Sequence, residues 1–113
     1  MPHTILLVSN IDIRYIAVIY NFSSKCARDV FNGTDSRHAR KLPANLHKKA
    51  QILLDQLNAI TRIETLQIPP SNHLEKLKGD LKLFWSLRIN IQWRIIFRWE
   101  DQNAKDVDII DYH

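Results

Sequence analysis

The sequence predicts an α+β fold, a small antiparallel β-sheet with two helices packed on one face. Three observations predict it: one long apolar repeat at helical spacing before residue 61, two apolar–polar alternations after residue 82, and short turn-forming links joining the later segments. Residues 15–22 (YIAVIYNF) are rich in β-branched and aromatic side chains and are followed by two serines, the composition of a first strand. Ser23 or Ser24 caps a short helix running to about Phe31, and Asn32-Gly33 ends it with residues that tolerate a left-handed backbone. A polar, basic loop follows to Leu42. Pro43 suits a first helical position, and Leu46, Ala50, Leu53, Leu57 and Ile60 then recur at steps of four and three, an amphipathic helix. Its opposite face, with His47, Lys48, Lys49, Asp55 and Gln56, reads as solvated.

Residues 68–72 (IPPSN) cannot continue a helix and form a loop. In the strand expected at 83–89, Leu83, Trp85, Leu87 and Ile89 alternate with Phe84, Ser86 and Arg88. Residues 92–100 repeat the pattern, with Trp93, Ile95, Phe97 and Trp99 facing the core and Arg94, Ile96 and Arg98 on the other face. Asn90-Ile91 between them implies a hairpin. After a link at 100–105, a last strand at 107–112 completes the meander with Val107 and Ile109 inward.

With 113 residues, 45% of them hydrophobic and 25% charged, the chain is one globular domain; a wholly disordered chain and a collagen-like fibre are excluded. Cys26 is the only cysteine, so neither an intrachain disulfide nor a thiolate zinc cluster forms, which suits a reducing cytosol. No apolar run approaches the roughly 20 residues of a membrane span, and the first basic residue, Arg14, follows Asp12, unlike a signal peptide. A cytoplasmic protein without membrane contact is expected. The formal charge of +4 hides an uneven distribution: 14 basic against 6 acidic residues over 25–98, then Lys105 against five acids over 99–113. A basic body is the footprint of a phosphate-binding protein, the alternative being a solvated surface. No P-loop, dinucleotide fingerprint or HExxH helix is present, and the five histidines are too far apart for a local ligand pair, so no metal and no cofactor is expected.

The C-terminal third carries more specific tokens: Pro69-Pro70-Ser71-Asn72 leading into residues 74–80 (LEKLKGD), then Trp85-Ser86, then Trp93-Arg94-Ile95 with Phe97, and Asp111-Tyr112-His113 at the end. In order and spacing they resemble the HigB toxins, a branch of the RelE superfamily of bacterial toxin–antitoxin modules. The likeness continues more weakly back through Leu57-Asn58-Ala59 and Phe31-Asn32-Gly33 to about Val18. It implies a toxin domain over residues 18–113 with the RelE-like microbial ribonuclease fold. Residues 1–17 are expected to be an extension, loosely attached or upstream of a start near Val18; the rival reading is an extra strand at residues 4–8. The implied function is a ribosome-dependent, metal-independent mRNA endoribonuclease that arrests growth. Its implied partners are the ribosome, mRNA and a HigA-like helix-turn-helix antitoxin, with operator DNA bound only through that antitoxin. The alternative is a non-catalytic binding module of the same fold, a gyrase inhibitor or an antitoxin-bound regulator.

Metal-free RNA cleavage by the 2′-hydroxyl needs a base, an acid and fixed positive charge on the phosphorane-like transition state. By resemblance, Lys78 and Arg94 bind the phosphate, Asp111 orients or assists proton transfer, Tyr112 positions a base and His113 serves as acid or base. Glu75 stands where some relatives carry histidine and is either a base or a salt-bridge partner of Lys76 or Lys78. Regular alternation places Glu75 and Lys78 on opposite faces unless a bulge or turn near Gly79 intervenes; it places Asp111 and His113 together, with Tyr112 opposite. Lys76, Lys82, Arg88 and Arg98 are expected RNA contacts. Ile91 and Leu83-Phe84 are more apolar than their counterparts in the family, which reads as local packing or as a contact surface.

Overall fold

Residues 18–112 are described in a computed structural model; the expected extension at 1–17, the start of the strand expected at 15–22 and His113 lie outside the described residues. Helix α1 spans Lys25–Asn32. Ser24 caps it, its hydroxyl accepting from the Ala27 amide at 3.1 Å, and Gly33, at φ 70°, ends it in the left-handed conformation. Helix α2 spans His47–Leu57. Pro43 is not its first residue: a 3-10 turn, Ala44–Leu46, intervenes, and the helix stops three residues before Ile60, which is nevertheless buried. Ala50, Leu53, Leu54 and Leu57 form the buried face at steps of three and four.

The sheet has four strands in sequence order, β1 (Glu75–Lys76), β2 (Trp85–Arg88), β3 (Trp93–Glu100) and β4 (Asn103–Asp111), all neighbours antiparallel. One core joins Ala27 and Val30 of α1, the apolar face of α2, and Leu87, Ile95, Phe97, Val107 and Ile109 of the sheet. Both helices therefore lie on one face, as expected.

Three strand expectations are corrected. The segment from Val18 makes no strand but two isolated parallel bridges to β4, Ile19 with Ala104 and Phe22 with Val107. The ladder breaks because β4 carries an extra residue between them: Asp106 is left-handed at φ 52°, and its amide donates instead to the Asn21 side chain at 2.9 Å. The strand expected at 83–89 is shorter, and Leu83, expected inward, is 61% exposed. It falls in the β1–β2 connection, outside the alternation, while Ile89 is buried as expected. The last strand begins at Asn103, not 107, because Asp101 and Gln102 both take positive φ, 53° and 63°, and close a two-residue hairpin. At the β2–β3 turn the Asn90 side chain accepts from the Gln92 and Trp93 amides, leaving Ile91 exposed at the tip.

The face away from the helices is not bare. Ser86, Arg94 and Ile96 are buried on it, with Leu77, which continues the β1–β2 register through its amide bond to Phe84. The position of β1 is set from below by α2. Gln56, expected to be solvated, accepts from the buried Asn72 side chain at 3.0 Å and donates to the Ile68 carbonyl at 2.8 Å, tying the loop ahead of β1 to the helix.

Besides the backbone bonds of the two bridges, a reciprocal pair holds the N-terminal segment to β4 at the bulge: the Asn21 amide group donates to Asp106 Oδ1 at 2.9 Å and its oxygen accepts from the Asp106 N–H. Asn21 and then Arg98 hold the Asp106 carboxyl below its ordinary range. A lowered folded-state pKa contributes stability above the unfolded value of about 4 and loses it as pH falls through the folded value. Asn21→Ala is expected to lower stability by about 1 to 2 kcal/mol at neutral pH, measured by urea unfolding. In Asp106→Ala the drop in urea midpoint between pH 6 and pH 3 is expected to be smaller than in the wild type.

Candidate active site

Strand register brings the candidate residues together. Glu75 lies opposite Ser86, and Ser86 opposite Ile96; Arg94 lies opposite Arg88 on one side and Ile110 on the other. Glu75, Ser86, Arg88, Arg94 and Ile110 therefore share the face of the sheet away from the helices. Tyr112 continues β4 in register, its amide donating to the Gln92 carbonyl at 2.7 Å, and alternation puts its ring on that face too.

Arg94 is the centre of this group. It is only 7% exposed, and its Nη1 donates to Glu75 Oε1 and to Ser86 Oγ, both at 3.0 Å. The Tyr112 ring lies 5.3 Å from the guanidinium carbon, within cation–π range. Burying a charge is costly unless it is paired, and here one carboxylate, one hydroxyl and one ring face supply the pairing. The Nε atoms of Arg94 and Arg88 are buried with no hydrogen-bond partner among the described residues. Like charges directly opposite in a sheet repel, so the Arg88–Arg94 pair makes this face receptive to an anion.

Beside Arg94 runs a groove of about 290 Å³ lined by Glu75, Lys76, Leu77, Lys78 and Tyr112. Alternation alone separates Glu75 from Lys78. Both line one groove because the chain leaves the strand after Lys76: Lys78 is extended and Gly79, at φ 64°, turns into a 3-10 turn, Gly79–Leu81. The groove thus holds a half-exposed carboxylate, an exposed ammonium and a phenol, next to a buried guanidinium. Together these groups can hold a phosphate and exchange a proton.

Other expected residues fall elsewhere. Asp111 lies opposite Trp93 on the helix-facing side, accepts from the Gln92 side chain at 3.0 Å, and lines a separate groove with Cys26, whose thiol burial pushes up in pKa, and Lys41. Lys76 lines the groove, but its ammonium donates to the Lys82 carbonyl and lies 5.9 Å from the Trp85 ring. Lys82 is exposed in the connection. Arg98 is bound to Asp106 at 2.9 Å and Glu100 at 2.5 Å, so it ties the β4 bulge and does not join the groove. His113, the expected acid or base, is outside the described residues. The sequence did not single out Ser86 as the hydroxyl that holds Arg94; the signals were a small polar residue inside an apolar strand and its place in the Trp85-Ser86 token.

The family model described as RelE-like toxin of type II toxin-antitoxin system HigB matches residues 20–113. Toxin HigB-1 of Vibrio cholerae serotype O1 is 39% identical over 71 residues, 63% of this chain and 74% of that protein. An uncharacterized protein of Haemophilus influenzae is 36% identical over 67 residues, 59% of this chain and 66% of that one. Among solved structures, the YoeB-YefM complex from Staphylococcus aureus is similar with a TM-score of 0.48 and 21% identity, over 82% of this chain and 95% of that chain.

The geometry of Arg94 predicts its own sensitivity to a charge-conserving change. Lysine keeps the charge but has no planar group to lie against Tyr112, and its shorter side chain does not bring a nitrogen to the place from which Nη1 donates to both Glu75 and Ser86. Arg94→Lys is expected to lower stability by about 1 to 3 kcal/mol in urea unfolding. An unchanged midpoint would show that these contacts contribute nothing to the fold.

Proposed function

The chain belongs to the HigB-like toxins, RelE-like toxins of type II toxin–antitoxin systems, and from that membership we propose that it is a metal-independent endoribonuclease that cuts mRNA on the ribosome. The observation that carries this reading is the convergence of Glu75, Lys78 and Tyr112 on one groove beside the buried Arg94.

In the proposed reaction the RNA supplies its own nucleophile. A base takes the proton of the 2′-hydroxyl, the 2′-oxygen bonds to the adjacent phosphorus, and the bond from phosphorus to the 5′-oxygen breaks. An acid protonates that leaving oxygen, so the products are a 2′,3′-cyclic phosphate and a 5′-hydroxyl end. Arg94 and Lys78 carry positive charge to the phosphate, where negative charge accumulates in the transition state. The planar Arg94 fork can engage two phosphate oxygens at once. Glu75 is the base in this scheme, because it is the carboxylate that shares the groove with Lys78. His113 is assigned the acid by its place in the family motif, since an imidazole exchanges protons near neutral pH. Tyr112 stacks against Arg94 and offers its ring to a nucleobase. Asp111, on the opposite side of the sheet, is assigned to holding the end of β4 through Gln92. Arg88 and Lys82 extend the phosphate-binding surface.

Type II toxins are held in check by a protein antitoxin, and a HigA-like helix-turn-helix protein is the proposed partner, operator DNA being reached only through it. The cytoplasm, where ribosomes and message meet, is the proposed location. No helix among the described residues is long and apolar enough to cross a membrane.

Arg94→Ala and His113→Ala are expected to lower message cleavage on programmed ribosomes at least about 100-fold, the scale of a lost transition-state donor or proton-transfer group. Lys78→Ala is expected to do the same, without loss of fold by circular dichroism, since its side chain is exposed. Induced expression of the Arg94 and His113 variants should then leave growth intact. Full toxicity in both would overturn the ribonuclease reading in favour of the non-catalytic binding module.

A further inference from the structure

A guanidinium has five N–H groups, and how they are shared decides which edge meets a substrate. In Arg94, Nη1 is occupied by Glu75 and Ser86, while Nε is buried and has no hydrogen-bond partner among the described residues. Glu75 and Ser86 therefore fix Nη1 from two directions, and the Tyr112 ring, 5.3 Å from the guanidinium carbon, sets the plane of the group from the side. The two holders of Nη1 differ in kind. Glu75 is about half exposed and ionisable, and in the proposed reaction it gains a proton, which weakens its hold on the arginine. Ser86 is fully buried on an inner strand, paired to β1 on one side and β3 on the other. Its hydroxyl has no charge to lose and no room to move away.

We propose that Ser86 is a positioning residue for the cleavage reaction: its hydroxyl keeps the Arg94 guanidinium oriented through Nη1 while the bond to Glu75 changes during turnover. The inference rests on the ribonuclease reading of this site. The choice of residue has a physical reason. A second carboxylate would neutralise the arginine that must attract phosphate, and alanine would leave a buried N–H unpaired. A neutral acceptor satisfies the donor and leaves the full positive charge available.

The test compares wild type, Ser86→Ala and Ser86→Thr in single-turnover cleavage of a short message on programmed ribosomes, together with the side-chain NMR signals of Arg94 in the free protein. Loss of a hydrogen bond to a charged group predicts that Ser86→Ala lowers the saturating cleavage rate by about 10 to 100-fold. The half-saturating ribosome concentration should stay within about threefold of the wild type. Separate Nη1 proton signals in the wild type should collapse to an average in Ser86→Ala, and Ser86→Thr, which keeps the oxygen, should restore both signals and rate. If Ser86→Ala does not fold, Ser86→Cys, of similar size and with a weak acceptor, carries the same comparison. An Ala or Cys variant that cleaves at the wild-type rate, or keeps hindered Nη1 signals, overturns the positioning role. A wild-type protein that cuts no message overturns the ribonuclease reading instead, and the Arg94 signals then still decide whether Ser86 fixes the guanidinium.

Discussion

A guanidinium that is 93% removed from solvent has to be paired wherever it lies, and the pairing of Arg94 is the constraint around which this face of the sheet is arranged. Its partners come from three other strands or strand ends: Glu75 from β1, Ser86 from β2 and Tyr112 from the end of β4. No two of these are close in sequence to all the others. They meet because three antiparallel pairings hold one register across four strands. A slip of one residue at either β2 or β1 would turn Ser86 or Glu75 to the helix side and leave the charge exposed to an apolar surface.

The register of β1 is the most vulnerable of these, since that strand is two residues long. Its support comes from the loop before it. Asn72, buried and bonded to Gln56 and the Leu66 carbonyl, fixes that loop to α2. The helix on one side of the sheet thus helps to place a carboxylate on the other. A polar residue on an amphipathic helix, expected to be solvated, is part of the support of the candidate site.

Charge is divided between structure and chemistry in the same way. The basic excess over 25–98 is an average over residues with different fates. Arg98 is consumed by Asp106 and Glu100, where it stabilises the bulge to which residues 18–23 attach, and Lys76 is engaged with Trp85 and a backbone carbonyl. Lys78 stays exposed at the groove, and Arg88 keeps a buried nitrogen without a partner among the described residues. Net charge identifies the class of ligand, and partner geometry decides which cations serve it.

The α+β class, the cap at Ser24, the stop at Gly33, the apolar face of α2 and the inward residues of β3 were legible in the sequence, because each depends on local periodicity or on the backbone preference of one residue. The motif residues of the toxin family were legible as well, since they keep their order along the chain. The burial of Arg94 was not, nor the role of Ser86, nor the face of the sheet on which the groove lies. Alternation does place Asp111 and Tyr112 on opposite faces, but which face holds the groove is set by β1, whose pairing the sequence does not announce. Glu75 and Lys78 share that groove because β1 ends at Lys76, between them, so strand alternation does not carry through to Lys78. Hydrophobic period and turn preference act over a few residues and can be read from the chain. A buried charge finds its partners across strands 8 and 19 residues away, and only the closed sheet decides which they are.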